Sequence, residues 1–397
     1  MSCFASNVLS RQLIAIQKRS LVRVLNNFGY RNLYSPAALG MDGYLRTRER
    51  IHTQFSEMGE RFRKKMREFV APESVNMVFT EDLKHMVHLA EATEEDMELI
   101  EQMIIKFNSQ NKDLRFGSFV FGPVIMRMYH TLNKPKEALK IFKNPDVDGF
   151  FDQIASFQIL MDLLYNNEMY DEVMEVMDIV KNKQLPGNRY PRNVVVLTFA
   201  AAYKKNTPES FQFMKEFWAE LQEAGHMAMR RAVTYSAALA INQGAPHIAL
   251  ELLSSLSRQT YVTIRNLKVS ALADVNRPDD ALPVLRSVLE EDATRENNKN
   301  TFCSDVIEKV KAAVDKSEKK EVQQEFDRIL QQLIQMDLIV DSTLDSQLCS
   351  EIEKVTPYPP PNQQFSQRMA AAKFSGRERD RSRGFSNAPR RGLMDME

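Results

Sequence analysis

The feature that most constrains this chain is a pattern that returns roughly every 35 residues. Phe121-Gly-Pro-Val-Ile-Met-Arg-Met-Tyr129 leads into Glu137-Ala-Leu-Lys-Ile-Phe142. Phe157-Gln-Ile-Leu-Met-Asp-Leu-Leu-Tyr165 leads into Glu172-Val-Met-Glu-Val-Met177, and Tyr235-Ser-Ala-Ala-Leu-Ala-Ile241 into Ile248-Ala-Leu-Glu-Leu-Leu253. The step from Phe121 to Phe157 is 36 residues and that from Ala138 to Val173 is 35. Between the second and third units lies another, Val194–Tyr203 followed by Pro208–Phe217. A fifth runs from Arg265–Leu272 into Asp279–Leu285, and a weaker first pair covers Glu81–Ala90 and Glu94–Phe107. Repeats of this length mean stacked supersecondary units, because one unit cannot hide its own apolar surface.

Each unit reads as two helices. Gly244 suits a left-handed helix end and Pro246 the first turn of the next helix. Pro135, Pro208 and Pro278 hold the same place in their units. Ile248, Leu252, Leu253 and Leu256 form a stripe at helical spacing. The 13 glycines in 397 residues, with 21 methionines, favour helix over sheet. The expected fold is all-α: a right-handed α-solenoid of about six helical hairpins over residues 80–290. A helical region at 42–79 precedes it, and C-terminal helices at 291–354 follow.

The ends read differently. Residues 1–41 hold five basic residues and no acid, in the Arg- and Ser-containing pattern of a mitochondrial transit peptide, with a processing site near Arg31–Ser35. No apolar stretch reaches the length of a membrane span. Residues 355–397, with eight basic and four acidic residues and Pro357-Tyr-Pro-Pro-Pro361, read as a disordered basic tail. The whole chain is neutral, so the middle is acidic, which argues against a large non-specific grip on nucleic acid. Cys3, Cys303 and Cys349 are too few and too scattered for a disulfide framework or a zinc site. His85 and His88, three apart on a helix beside Glu81, are the nearest approach to metal-ligand spacing, and a plain helix-surface pair explains them. No phosphate-binding glycine loop and no appended catalytic module is present; no cofactor is expected.

The period, the aromatic opening and the Glu-Ala-Leu second helix resemble the pentatricopeptide repeat family. Val233-Thr-Tyr-Ser236 and Lys136-Glu-Ala-Leu139 match its consensus well. Further likeness to animal mitochondrial members runs from about Tyr44 to Glu353. The resemblance implies a tetratricopeptide-like superhelix and a non-enzymatic protein of the mitochondrial matrix. It implies single-stranded mitochondrial RNA as partner, a role in transcript maturation, processing or stability, and support of the respiratory chain. RNA-processing or ribosomal proteins are further partners on this reading. In this family the residue after the aromatic reads one base together with the last residue of the repeat. The matching positions are Gly122, Gln158, Val196, Ser236 and Asn266, with Gln153 paired to Gly122. Val196 cannot hydrogen-bond a base and Gly122 has no side chain. Lys204, Lys205, Arg230, Arg231, Arg265 and Lys268 are the expected phosphate contacts, or else a charged rim balanced by Glu209, Glu220 and Glu223. A second reading stays open: a protein-interaction scaffold, since such grooves also take peptides.

Overall fold

The computed structural model describes residues 33–114, 119–183, 185, 189–291, 301–317 and 319–353. The expected targeting segment up to residue 32 and the expected basic tail lie outside these residues. The described part is an all-α repeat solenoid. A short helix α1 (Pro36–Leu39) and a pair α2 (Met41–Gln54) and α3 (Gly59–Val70) open it. Six hairpins follow: α4 (Thr80–Leu89) with α5 (Glu94–Leu114), α6 (Gly122–Leu132) with α7 (Pro135–Lys143), and α8 (Ile154–Asn166) with α9 (Tyr170–Asn182). Then come α10 (Arg192–Lys205) with α11 (Pro208–Glu223), α12 (Arg230–Asn242) with α13 (Pro246–Ser254), and α14 (Val262–Asp274) with α15 (Pro278–Glu291). The described residues close with α16 (Ser304–Lys316), α17 (Lys320–Gln335) and a five-residue helix α18 (Leu344–Leu348). Two dipeptides, β1 (Phe302–Cys303) and β2 (Ile339–Val340), pair in parallel.

One turn recurs between the paired helices. Asn133, Asn206, Gly244 and Asn276 adopt left-handed backbone, with φ of 51°, 49°, 70° and 57°, and proline opens the next helix two residues later each time. In three of the four the residue after the left-handed one donates to the carbonyl five back: Lys134 to Tyr129, Ala245 to Ala240 and Arg277 to Leu272. Such a bond absorbs a carbonyl that the helix end leaves free. Glu168 (φ 59°) makes the same turn with no glycine or asparagine to announce it. Adjacent turns are tied together: the Asn167 amide donates to Asn133 Oδ1 at 2.8 Å, and that of Gln243 to Asn206 Oδ1 at 2.9 Å.

Helices α6, α8, α10, α12 and α14 lie side by side, and each second helix packs behind the first helix of the next unit. Phe121, Phe157 and Tyr235, the aromatics that open the units, are all buried between neighbours. The stack is longer than the sequence suggests. α2 and α3 lie on α4 and α5, and α16 and α17 lie on α14 and α15. Arg48 fastens the front end by donating to the carbonyls of His88 (3.0 Å) and Ala90 (2.6 Å). Arg63 adds a pair with the buried Asp96 at 3.1 Å. Eight hairpin-like layers are therefore present among the described residues, six of them the expected ones.

Candidate nucleic-acid interface

The inner wall of the stack is formed by the first helices, and its middle is buried on every side. Val194–Tyr203 on α10, Ala232–Ala240 on α12 and Ile264–Leu267 on α14 are buried without a break. An inner helix of an open solenoid would leave one side to water. Here that side is covered by residues 33–41 and 343–352 of the same chain.

From the N-terminal end, α1 packs on α8 and α2 on α6. Leu33 and Tyr34 are buried, and the Tyr34 hydroxyl donates to the Asn193 carbonyl at the start of α10. Arg127 on α6 donates to the Leu39 carbonyl at 2.9 Å. Residues 33–41, which the sequence places at the end of the expected presequence, bury Leu33, Tyr34, Leu39 and Met41 in this structure.

From the C-terminal end, residues 343–352 lie across α10, α12 and α14. Thr343 caps α18, whose Leu348 is buried. Arg231 donates to the carbonyls of Leu348 (2.9 Å) and Ser350 (2.6 Å) and to Ser350 Oγ (3.0 Å). The Tyr235 hydroxyl also donates to the Leu348 carbonyl, at 2.9 Å. Lys204 and the Tyr203 hydroxyl both donate to Asp345 Oδ1, at 2.8 and 3.0 Å. Burial pushes the Asp345 carboxyl up, but the hydrogen bonds and charge of Lys204 and the bond from Tyr203 outweigh it and hold it below the ordinary aspartate value. The two ends meet: Ser35 N–H donates to the Ile352 carbonyl at 3.1 Å, and Ile352 N–H to the Leu33 carbonyl at 2.8 Å. Between α10, α12, α14, α16 and α18 one open cleft of about 450 Å³ remains, lined by Tyr203, Asn242, Ser270, Lys309 and Asp345 among others.

The residues expected to face a base are placed accordingly. Ser236 is fully buried, and its Oγ donates to the Ala232 carbonyl one turn back at 3.0 Å. Asn266 is fully buried too. Its amide nitrogen reaches the carbonyls of Val262 (3.0 Å) and Thr301 (3.2 Å) and Gln347 Oε1 (3.3 Å), while its oxygen accepts from Cys303 N–H. Val196 is buried among aliphatics. These three are not available to a guest strand, because an internal partner satisfies or covers each. Gly122 and Gln153 are brought together as expected, but by packing. A Cβ on Gly122 would stand 2.1 Å from Gln153 Oε1 and 2.6 Å from Ser156 Oγ, so a larger residue there would have to displace both side chains at the start of α8. Gln153 spends its amide on the Phe150 carbonyl and its oxygen on Ser156 Oγ. Gln158 is half-buried and accepts from the Asn193 amide at 3.1 Å.

The expected phosphate contacts divide as well. Lys204 and Arg231 hold the C-terminal segment, and Arg265 is buried. Lys205 pairs with Asp171 on α9. Arg230 and Lys268 stay half-exposed. Arg230 lies 4.1 Å over the Tyr261 ring, and its Nη1 reaches Thr263 Oγ1 at 3.3 Å. Exposed cations that the repeat alignment did not single out lie just before or at the start of first helices: Arg189, Arg192 and Arg258. Their signal was position, since each precedes a repeat's aromatic or aliphatic opening.

His88 is buried against Tyr44, with ring centroids 5.0 Å apart, and bonds the Lys84 carbonyl; His85 packs near Phe55 and Phe62. The pair is ring packing. Among the described residues no group of three or more His, Cys, Asp or Glu is placed to hold a metal. No described helix is long and apolar enough to cross a membrane.

No family model matches the chain. Curated relatives do. Pentatricopeptide repeat-containing protein 2, mitochondrial, of Pongo abelii is 28% identical over 238 residues, 60% of this chain and 61% of that protein. Its Mus musculus counterpart is 28% identical over 235 residues, 59% of this chain and 61% of that one. The Danio rerio counterpart is 29% identical over 215 residues, covering 54% and 55%. The matches thus span about 60% of the first two relatives' own lengths. By its hairpin repeats and by these matches, the chain is similar to the mitochondrial pentatricopeptide repeat-containing protein 2 of vertebrates.

Proposed function

We propose that this chain is a non-enzymatic RNA-binding protein of the mitochondrial matrix. On this reading it acts in the maturation, processing or stability of mitochondrial transcripts and so supports the respiratory chain. The observation that carries the reading is the repeat stack, found in a chain whose curated relatives are named as mitochondrial pentatricopeptide repeat proteins. Recognition of single strands by one helical repeat per base is the established chemistry of such stacks. The buried positions of Ser236, Asn266 and Val196 weigh against a linear base code along the inner wall while residues 33–41 and 343–352 lie there.

A second reading, a protein-interaction scaffold, has its own support. The inner wall already holds a peptide segment, residues 343–352 of the chain itself. It does so largely by side chains donating to backbone carbonyls, which is how a groove holds a peptide regardless of sequence. Crosslinking the protein in intact mitochondria and sequencing the attached RNA separates the two. An enriched mitochondrial transcript supports the first reading; crosslinked proteins with no enriched transcript overturn it in favour of the second.

A further inference from the structure

With the inner wall occupied, any RNA must be held elsewhere on the stack, and one edge carries the chemistry for it. The N-terminal ends of the first helices come together along this edge. Asn193 on α10 bonds Gln158 on α8, and Arg230 on α12 reaches Thr263 on α14. Between them, Tyr190 lies 5.9 Å from the ring of His226 in the loop leading to α12. Burial holds the His226 imidazole below the ordinary histidine range, and the charge of nearby Arg192 adds to this. Exposed or half-exposed arginines therefore recur from unit to unit, at Arg189, Arg192, Arg230 and Arg258. Adjacent packed helices lie about 10 Å apart, which sets the step between them. Glu220 is the acid that answers Arg189, at 3.5 Å. The first turns of α6, α8, α10, α12 and α14 contain no acidic residue, whereas those of α7, α9, α11 and α15 do. That is the reverse of the usual preference for acids at helix starts, and it leaves the first turns along this edge without an acid. Tyr261 keeps 38% of its surface exposed under the Arg230 guanidinium, and Met229 beside it keeps 39%.

We propose that single-stranded RNA runs along this edge, its phosphates on Arg189, Arg192, Arg230 and Arg258 and a base stacked at Tyr261. The arginines suit phosphate oxygens, and a cation-capped aromatic is a stacking platform that accepts any base. Binding of this kind follows the backbone and carries little sequence preference. This inference rests on the RNA reading above and locates it.

The test uses the full chain and a fluorescein-labelled single-stranded oligouridylate, with anisotropy followed over a salt series. Arg192→Gln and Arg230→Gln should each weaken binding several-fold and flatten the slope of log affinity against log salt by about 0.7 per lost phosphate contact. Tyr261→Ala should weaken it about tenfold without changing the slope, and Tyr261→Phe should restore it. Lys143→Gln, on the outer face, should change nothing. Arg192 is exposed, so its replacement keeps the test valid even if the half-exposed Arg230 proves necessary for folding. If the unmodified chain binds the oligomer and both arginine variants keep its affinity and salt slope, the edge is refuted while the RNA reading stands. If the unmodified chain binds no RNA, both fall.

Discussion

The first and second helices of each unit solve different problems, and their sequences show it. α7 buries Ala138, Ile141 and Phe142 and presents Lys136, Lys140 and Lys143 to solvent. It is one-sided, as a helix on the outside of a stack must be. α10 has no such sides: ten consecutive residues from Val194 to Tyr203 are buried. A helix apolar all round is packed on every side. The layers beside and behind α10 account for only part of that burial, so something must lie in front. What lies in front is the chain itself. Across the outer helices the links are surface ion pairs, such as Lys140–Glu101 and Lys143–Glu175. On the inner side, Arg127, Arg231 and Tyr235 instead donate to backbone carbonyls of the segments that cover them. The same fold thus has an adjustable outside and a committed inside.

That contrast predicts a hierarchy of mutational cost. Leu348→Asp would place a charge in the apolar seat between the C-terminal segment and α12. It should cost about 4 kcal/mol or more in chemical denaturation; a loss below about 1 kcal/mol would mean that the segment is not seated there. Asn266→Ala leaves the Cys303 N–H and the Thr301 carbonyl without their partner, and an expected loss of about 2–4 kcal/mol follows.

How much of this was legible in the sequence depends on how far the contacts reach along the chain. The six hairpins were, because their signals are local: an apolar stripe in each and, in four of them, an asparagine or glycine turn with a proline two residues on. The outer layers α2–α3 and α16–α17 were read as helices but not as part of the stack. The turn between α2 and α3, Phe55–Met58, has no proline or glycine at its centre, and α16 follows strand β1 instead of the repeated turn. The covered inner wall was illegible. Arg231 and Tyr235 meet their partners more than a hundred residues downstream, and nothing near Ser236 marks it as buried. The one hint was compositional: a first helix such as α10, apolar throughout, does not suit an open groove.

Smaller effects sharpen the comparison. The carboxyl of Asp345 is held below its ordinary value, so its bonds to Lys204 and Tyr203 contribute stability above the unfolded pKa, and that contribution fades as pH falls through the lowered folded value. The side chain is half-exposed, so the contribution is at most about 1 kcal/mol. Asp345→Asn should flatten the acid limb of the stability–pH curve by that much; an unchanged limb would exclude the pair as a contributor. Smallest is Lys143→Ala on the outer face. Removing its exposed pair with Glu175 should move the unfolding midpoint by an amount worth about 0.5 kcal/mol or less.

The account turns on residues 343–352 being fixed to the inner wall, and native-state hydrogen exchange reads this directly. The amide of Ile352, bonded to the Leu33 carbonyl, and that of Cys349, bonded to the Asp345 carbonyl, should exchange as slowly as amides in the middle of α12. Exchange of both at the rate of an unstructured chain, with α12 still protected, would contradict it and would reopen the inner wall to a guest strand.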